Sequence, residues 1–248
     1  MPIAEILLLV GFVVFITHSL EAVTGFGCTV LAFPLVFLLM GDLERAKIVL
    51  SILAWFLALY FVITQYKKLH WKQFATILLW AGAGMPAGML FFKMFDAGTL
   101  TTILGFFIVL SAIVELYKIF VPAVANLRLP KPFSYTFLLA GGIIHGAFAV
   151  GGPLIILYSA RAIPDKSRFR ATMCLLWVVL NTILIFQYLF EGKLTFPVGR
   201  DVLFLLPFLV AGIFAGEAIH KRVSEILFKK IVFISLLLVG VTMIFLNL

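Results

Sequence analysis

The chain of 248 residues is 64% hydrophobic and only 12% charged, with a mean hydropathy of +1.20. That excludes a soluble domain, so the chain reads as an integral membrane protein whose constant partner is the lipid bilayer. The formal charge of +8 lies in short loops between apolar runs; it therefore reports orientation in the membrane, and nucleic acid is not an expected partner.

In chain order, the opening Met-Pro-Ile-Ala-Glu lacks the basic start of a secretory signal, and no small-residue cleavage pattern ends the run Ile3 to Leu20. That segment is expected to be retained. Further apolar runs follow at Ala22 to Gly41, Ile48 to Tyr66, Gln73 to Phe92, Ala97 to Val114, Pro132 to Ala160, Ala171 to Phe190, Val202 to Ile219 and Ile231 to Leu248. About 20 apolar residues cross a bilayer. Cys28 and Cys174 both sit inside such runs and are read as packing residues, with neither a disulfide nor a metal motif suggested. No cofactor is expected.

Two of the runs are interrupted by glycine: Thr24-Gly25-Phe26-Gly27 in the first half and Gly151-Gly152-Pro153 in the second, each preceded by a histidine, His18 and His145. Non-helical backbone inside a membrane survives only where it is buried in protein or lines a cavity. Matched interruptions in two halves point to a transport site. The order of other features agrees: Arg45-Ala46 recurs as Arg170-Ala171 and Lys68-Leu69 as Lys193-Leu194, while Gly84-x-x-x-Gly88 recurs as Gly212-x-x-x-Gly216. These features predict one transport domain, residues 1–248, built from a repeat at about 1–120, a linker at about 121–132 and a second repeat at about 133–248.

Charge tests how the second interruption lies. If Phe133 to Ala160 returns to the face it entered from, fourteen of the nineteen basic residues fall on one side, leaving Arg45, Lys47, Lys93, Lys193 and Arg200 on the other. That asymmetry makes the rich side cytoplasmic and puts both termini outside an inner (plasma) membrane. With three full spans and one hairpin in each half, the second half enters the bilayer upside down. The predicted fold is an all-α polytopic membrane protein of two inverted repeats, each a broken or re-entrant helix hairpin plus three transmembrane helices. Whether residues 3–40 form a hairpin or two full spans is left open by charge, and duplication favours the hairpin.

The chemistry follows from the breaks. Each opens a short apolar helix, and free N–H groups with the positive dipole end of a helix bind an anion without a charged side chain. Gly25, Gly27, Gly151 and Gly152 would let a ligand approach the backbone closely, with Thr24, Phe26 and Pro153 completing the two turns. His18, Glu21 and His145 are the ionisable groups nearest the breaks and are the candidates for proton coupling, His145 also for binding. Arg45 and Arg170 open the spans that follow the breaks and suit bidentate contact with oxyanions; Asn181 offers a neutral donor. The alternative for both arginines is orientation and headgroup contact. Gly84/Gly88 and Gly212/Gly216 have the spacing of close helix packing.

The segments T-G-F-G-x-x-x-L-A-F-P-L (Thr24 to Leu35), H-G-A-F-A-V-G-G-P-L-I-I-L-Y (His145 to Tyr158) and F-R-A-T (Phe169 to Thr172) resemble the TauE/SafE membrane proteins, described as sulfite exporters. That resemblance implies a polytopic carrier, not an enzyme, exporting sulfite, thiosulfate, sulfonates or related small anions. Alternating access is then expected as rocking of one repeat against the other around a midplane site. The competing readings are a carrier of another small anion such as a carboxylate, a metal-cation carrier using His18, Glu21 and His145, and an intramembrane enzyme, for which no catalytic spacing such as H-E-x-x-H is present. A homo-oligomer is compatible with the sequence and not required by it.

Overall fold

The computed structural model describes residues 3–121 and 131–219 and several positions between 233 and 245. Most of the proposed linker and most of the last apolar run, Ile231 to Leu248, lie outside the described residues. Nine helices can be followed among those described: α1 (Ile3–Thr24), α2 (Cys28–Met40), α3 (Leu43–Gln65), α4 (Trp71–Met94), α5 (Ala97–Phe120), α6 (Lys131–Phe148), α7 (Gly152–Ala162), α8 (Lys166–Phe190) and α9 (Phe196–Ile219). Six of them, α1, α3, α4, α5, α8 and α9, are long and apolar enough to cross a membrane. The chain is thus an all-α polytopic membrane protein.

Local chemistry sets the ends. Asp42, Asp96 and Asp165 each accept the backbone N–H three residues on, opening α3, α5 and α8. Gly41, at φ 68°, closes α2 in the left-handed region and bonds back to the Phe37 carbonyl at 2.8 Å. With 13 and 11 residues, α2 and α7 reach only about 20 and 16 Å. They are half-helices, and both expected breaks are real interruptions of the backbone.

Some corresponding helix boundaries share an offset. Shifting the start of α4 by the 125 positions that separate Arg45 from Arg170 reproduces the start of α9, and α3 shifted likewise ends where α8 ends. α3 and α8 lie side by side in opposite directions: Glu44 pairs with Lys193 just beyond the end of α8, Trp55 Nε1 donates to Thr182 Oγ1 at mid-length, and the His70 N–H just beyond α3 reaches Thr172 Oγ1.

The glycine-spaced helices pack across the halves. A Cβ on Gly84 or Gly88 of α4 would stand 2.2 or 1.9 Å from the carbonyl oxygens of Leu139 and Ile143 in α6, and one on Gly142 or Gly146 would meet Ala81 and Met85 in return. In the same way Gly212 and Gly216 of α9 lie against Phe15 and Ser19 of α1. Each half's glycine helix therefore docks on the other half's broken hairpin.

Large apolar side chains, among them Phe12, Leu79, Phe106, Leu110, Phe186, Leu203 and Phe214, point outward, as a lipid-facing surface requires. The core between the halves is built from side chains such as Phe33, Leu50, Leu57, Phe61, Phe148 and Leu180.

Candidate anion site

The two interruptions meet. α1 ends at Thr24, whose hydroxyl donates to the Phe26 carbonyl at 2.8 Å, and Gly25 and Gly27 turn the chain at φ 83° and 105°. No room exists for a side chain at Gly25, where a Cβ would stand 2.8 Å from Arg170 Cα. In the second half α6 ends at Phe148 and the chain turns through Ala149 at φ 59°. An alanine in the left-handed region is strained by about 1–2 kcal/mol, and strain of this kind gathers at functional sites. Gly151 is fixed by proximity: a Cβ there would lie 2.1 Å from the Gly141 carbonyl oxygen and 2.7 Å from His145 Cβ.

Between the turns lies a chamber lined by Glu21, Gly27, Thr29, Val30, Ala54, His145, Ala149, Val150, Gly152, Trp177 and Asn181. About 20 Å³ of it is open to the centre of a water molecule, room for roughly one water. Trp177 ties the walls together: its Nε1–H donates to the Gly25 carbonyl at 3.0 Å, and its ring stacks on His145 at 5.5 Å between centroids.

The two half-helix starts differ. At α2 the Glu21 carboxyl group reaches across the break and accepts the Cys28 N–H at 2.8 Å, so a side chain of the protein itself occupies that positive end. At α7 no side chain caps the start, and Pro153 in the first turn has no N–H to satisfy. Facing it, neither ring nitrogen of His145 nor Asn181 Oδ1 has a hydrogen bond of standard geometry, although both residues are only 2% exposed. Buried polar atoms left unpaired are exceptional and call for a reason.

Of the residues named from the sequence, Glu21, Gly27, His145, Gly152 and Asn181 line the chamber; Gly25, Phe26, Thr24, Gly151 and Pro153 shape its walls. Arg170 is held nearby, donating to the Ala22 carbonyl at 2.8 Å with its guanidinium over the Phe61 ring, so it closes the carbonyl end of α1. Arg45 stands at a rim, bonded to the buried Asp201 at 2.7 Å together with Arg200. His18 is fully buried behind the chamber with Nδ1 near the Val14 carbonyl and Nε2 unpaired. His18, Glu21 and His145 do not converge, and among the described residues no three His, Cys, Asp or Glu side chains are placed to hold a metal.

Sequence reasoning missed the second-half turn at Ala149, the cross-tie of Trp177 and the burial of Lys47. The five basic residues expected on the sparse side do gather at one end. There Lys193 pairs with Glu44 at 2.8 Å, which holds its ammonium above the ordinary lysine value, and Lys93 pairs with Glu191 at 2.6 Å. Among the described residues, Lys47 alone of the five turns inward and makes no ion pair.

The profile of the family described as "Sulfite exporter TauE/SafE" matches residues 8–243. No curated protein and no solved structure matches the chain.

Proposed function

The chain belongs to the sulfite exporter TauE/SafE family, and from that membership we propose that it is a secondary carrier exporting a small sulfur oxyanion through the chamber between its broken helices. Sulfite, thiosulfate and sulfonates are the candidates. The observation that carries the reading is the uncapped start of α7 faced by the buried His145 ring and Asn181 Oδ1, neither of which has a hydrogen bond of standard geometry. An oxyanion there accepts from the backbone of the helix start, from an imidazole N–H and from the Asn181 amide once it presents its NH₂. The amides cost no desolvated charge, which suits a ligand that must also leave.

With room for about one water, the chamber is in its contracted form, and loading requires the walls to part. An inverted duplication would fit alternating access, and the antiparallel course of α3 and α8 supports that reading. The moving bodies are mixed ones. Because α4 docks on α6 and α9 on α1, each body takes elements from both halves, in place of the rocking of one whole repeat against the other that the sequence suggests. The positive-inside rule supports an outward-facing sparse basic end, with both termini outside the inner membrane as part of this proposal.

Glu21 supplies coupling. Two negative charges in one small chamber repel strongly, so an arriving anion favours protonation of Glu21. An interior-negative potential already drives a monoanion outward by about 2.3 kcal/mol per 100 mV; co-transport of a proton would cancel that charge. Glu21→Gln should keep transport while flattening its pH dependence, read by uptake at pH 6 and pH 8. An unchanged pH profile assigns coupling elsewhere.

The direct test is counterflow in proteoliposomes with sulfite, thiosulfate, methanesulfonate, sulfate and acetate. Exchange of the sulfur oxyanions supports the reading. Exchange of acetate alone would make the chain a carboxylate carrier, and absence of any exchange would overturn the proposal.

A further inference from the structure

Lys47 lies one turn inside α3, is 2% exposed and ranks among the largest fully buried side chains. Its ammonium donates to the Gly146 carbonyl at 3.0 Å and lies 4.0 Å from the centroid of the Phe92 ring and 5.7 Å from that of Tyr188. None of these partners carries a negative charge. Glu44 and Glu191 act on it from the rim, but each is already bound to another lysine, Lys193 and Lys93, and Lys93 adds repulsion. An ammonium withdrawn from water without a counter-charge is costly, and an ionisable residue at such depth in a membrane protein marks function.

The Gly146 carbonyl accounts for part of this. It belongs to the last turn of α6, where carbonyls lose their helical partners and a donor is welcome. That need is met by any hydrogen-bond donor; it does not call for a charge. What singles the position out is its neighbour, since Gly146 follows His145, whose ring faces the chamber, and the Lys47 charge acts on that ring. The lysine comes from the first half and the carbonyl from the second, so the contact joins the two halves beside the chamber.

We propose that Lys47 is a second anion-coordinating residue, whose missing counter-ion is the transported oxyanion itself as it passes between the start of α7 and the outer rim. The inference rests on the anion-carrier reading. It assigns the choice of anion charge to Lys47: a positive charge there favours a dianion over a monoanion, whereas the helix start and His145 favour either by shape and hydrogen bonds.

The test compares wild-type protein with Lys47→Gln, Lys47→Met and Lys47→Arg in proteoliposomes, using thiosulfate as the dianion and methanesulfonate as the monoanion. Gln retains a donor for the Gly146 carbonyl and removes the charge, so it carries the test if Lys47→Met fails to survive extraction. Expected are a rise in KM for thiosulfate of about tenfold or more in Lys47→Gln, a clearly smaller rise for methanesulfonate, and values near wild type in Lys47→Arg. Wild-type kinetics in Lys47→Gln, equal losses for both anions, or a loss in Lys47→Arg as large as in Lys47→Gln would each overturn the proposal and leave Lys47 as a latch on α6. Absence of exchange in the wild type would instead overturn the carrier reading beneath it.

Discussion

Gly151 and Gly152 are neighbours that meet opposite surroundings. A Cβ at Gly151 would collide with the Gly141 carbonyl and His145, whereas one at Gly152 meets nothing closer than 3.9 Å and faces the chamber. Gly151→Ala is therefore expected to lose about 1–3 kcal/mol of stability by forcing the hairpin apart. Gly152→Ala should melt like the wild type while transporting poorly, and Gly152→Leu should fill the chamber and abolish flux. Thermal melting in detergent alongside counterflow separates the two; equal melting of Gly151→Ala and Gly152→Ala would remove the distinction. The glycines themselves were readable from the sequence because only a break needs them in hydrocarbon. The Glu21 contact was not, since a side chain reaching the N–H seven residues on requires the turn between them to be known.

The helix seams show the same division between pattern and partner. Small residues four apart announce a close approach, yet nothing in Gly84-x-x-x-Gly88 says that α6 and not a helix of its own half lies opposite. Because a Cβ on Gly142 would sit 1.9 Å from the Ala81 carbonyl oxygen, while one on Gly82 meets only Leu78 Cδ1 at 3.9 Å, Gly142→Ala should cost about 1–3 kcal/mol. Gly82→Ala should be neutral or gain up to about 1 kcal/mol from helix propensity. A melting series on the two variants checks this, and a stable Gly142→Ala would mean that the seam is looser than described. Lys47 was hidden for a related reason. A lysine one turn inside a helix can reach back to water or be drawn inward, and a charge count by side gives both cases the same score.

At the scale of the whole molecule, composition made the membrane legible, and the basic-residue asymmetry grouped five side chains that the fold does bring to one end. The rim's pairing of Arg45, Lys93 and Lys193 with carboxylates was not foreseen, because each of these pairs joins residues far apart in the chain. Reciprocal docking has a practical outcome. Expressed separately, residues 1–121 and 131–248 would each expose a bare glycine seam to lipid, and each would offer the surface that the other lacks. Co-expression of the two fragments should restore one assembly that co-purifies and transports, whereas either alone should aggregate or be degraded. Two fragments that remain stable in isolation would show that neither depends on the other to complete its hairpin. A carrier wired in this way is a covalently tethered heterodimer of mutually complementing fragments, and severing its tether should leave it working.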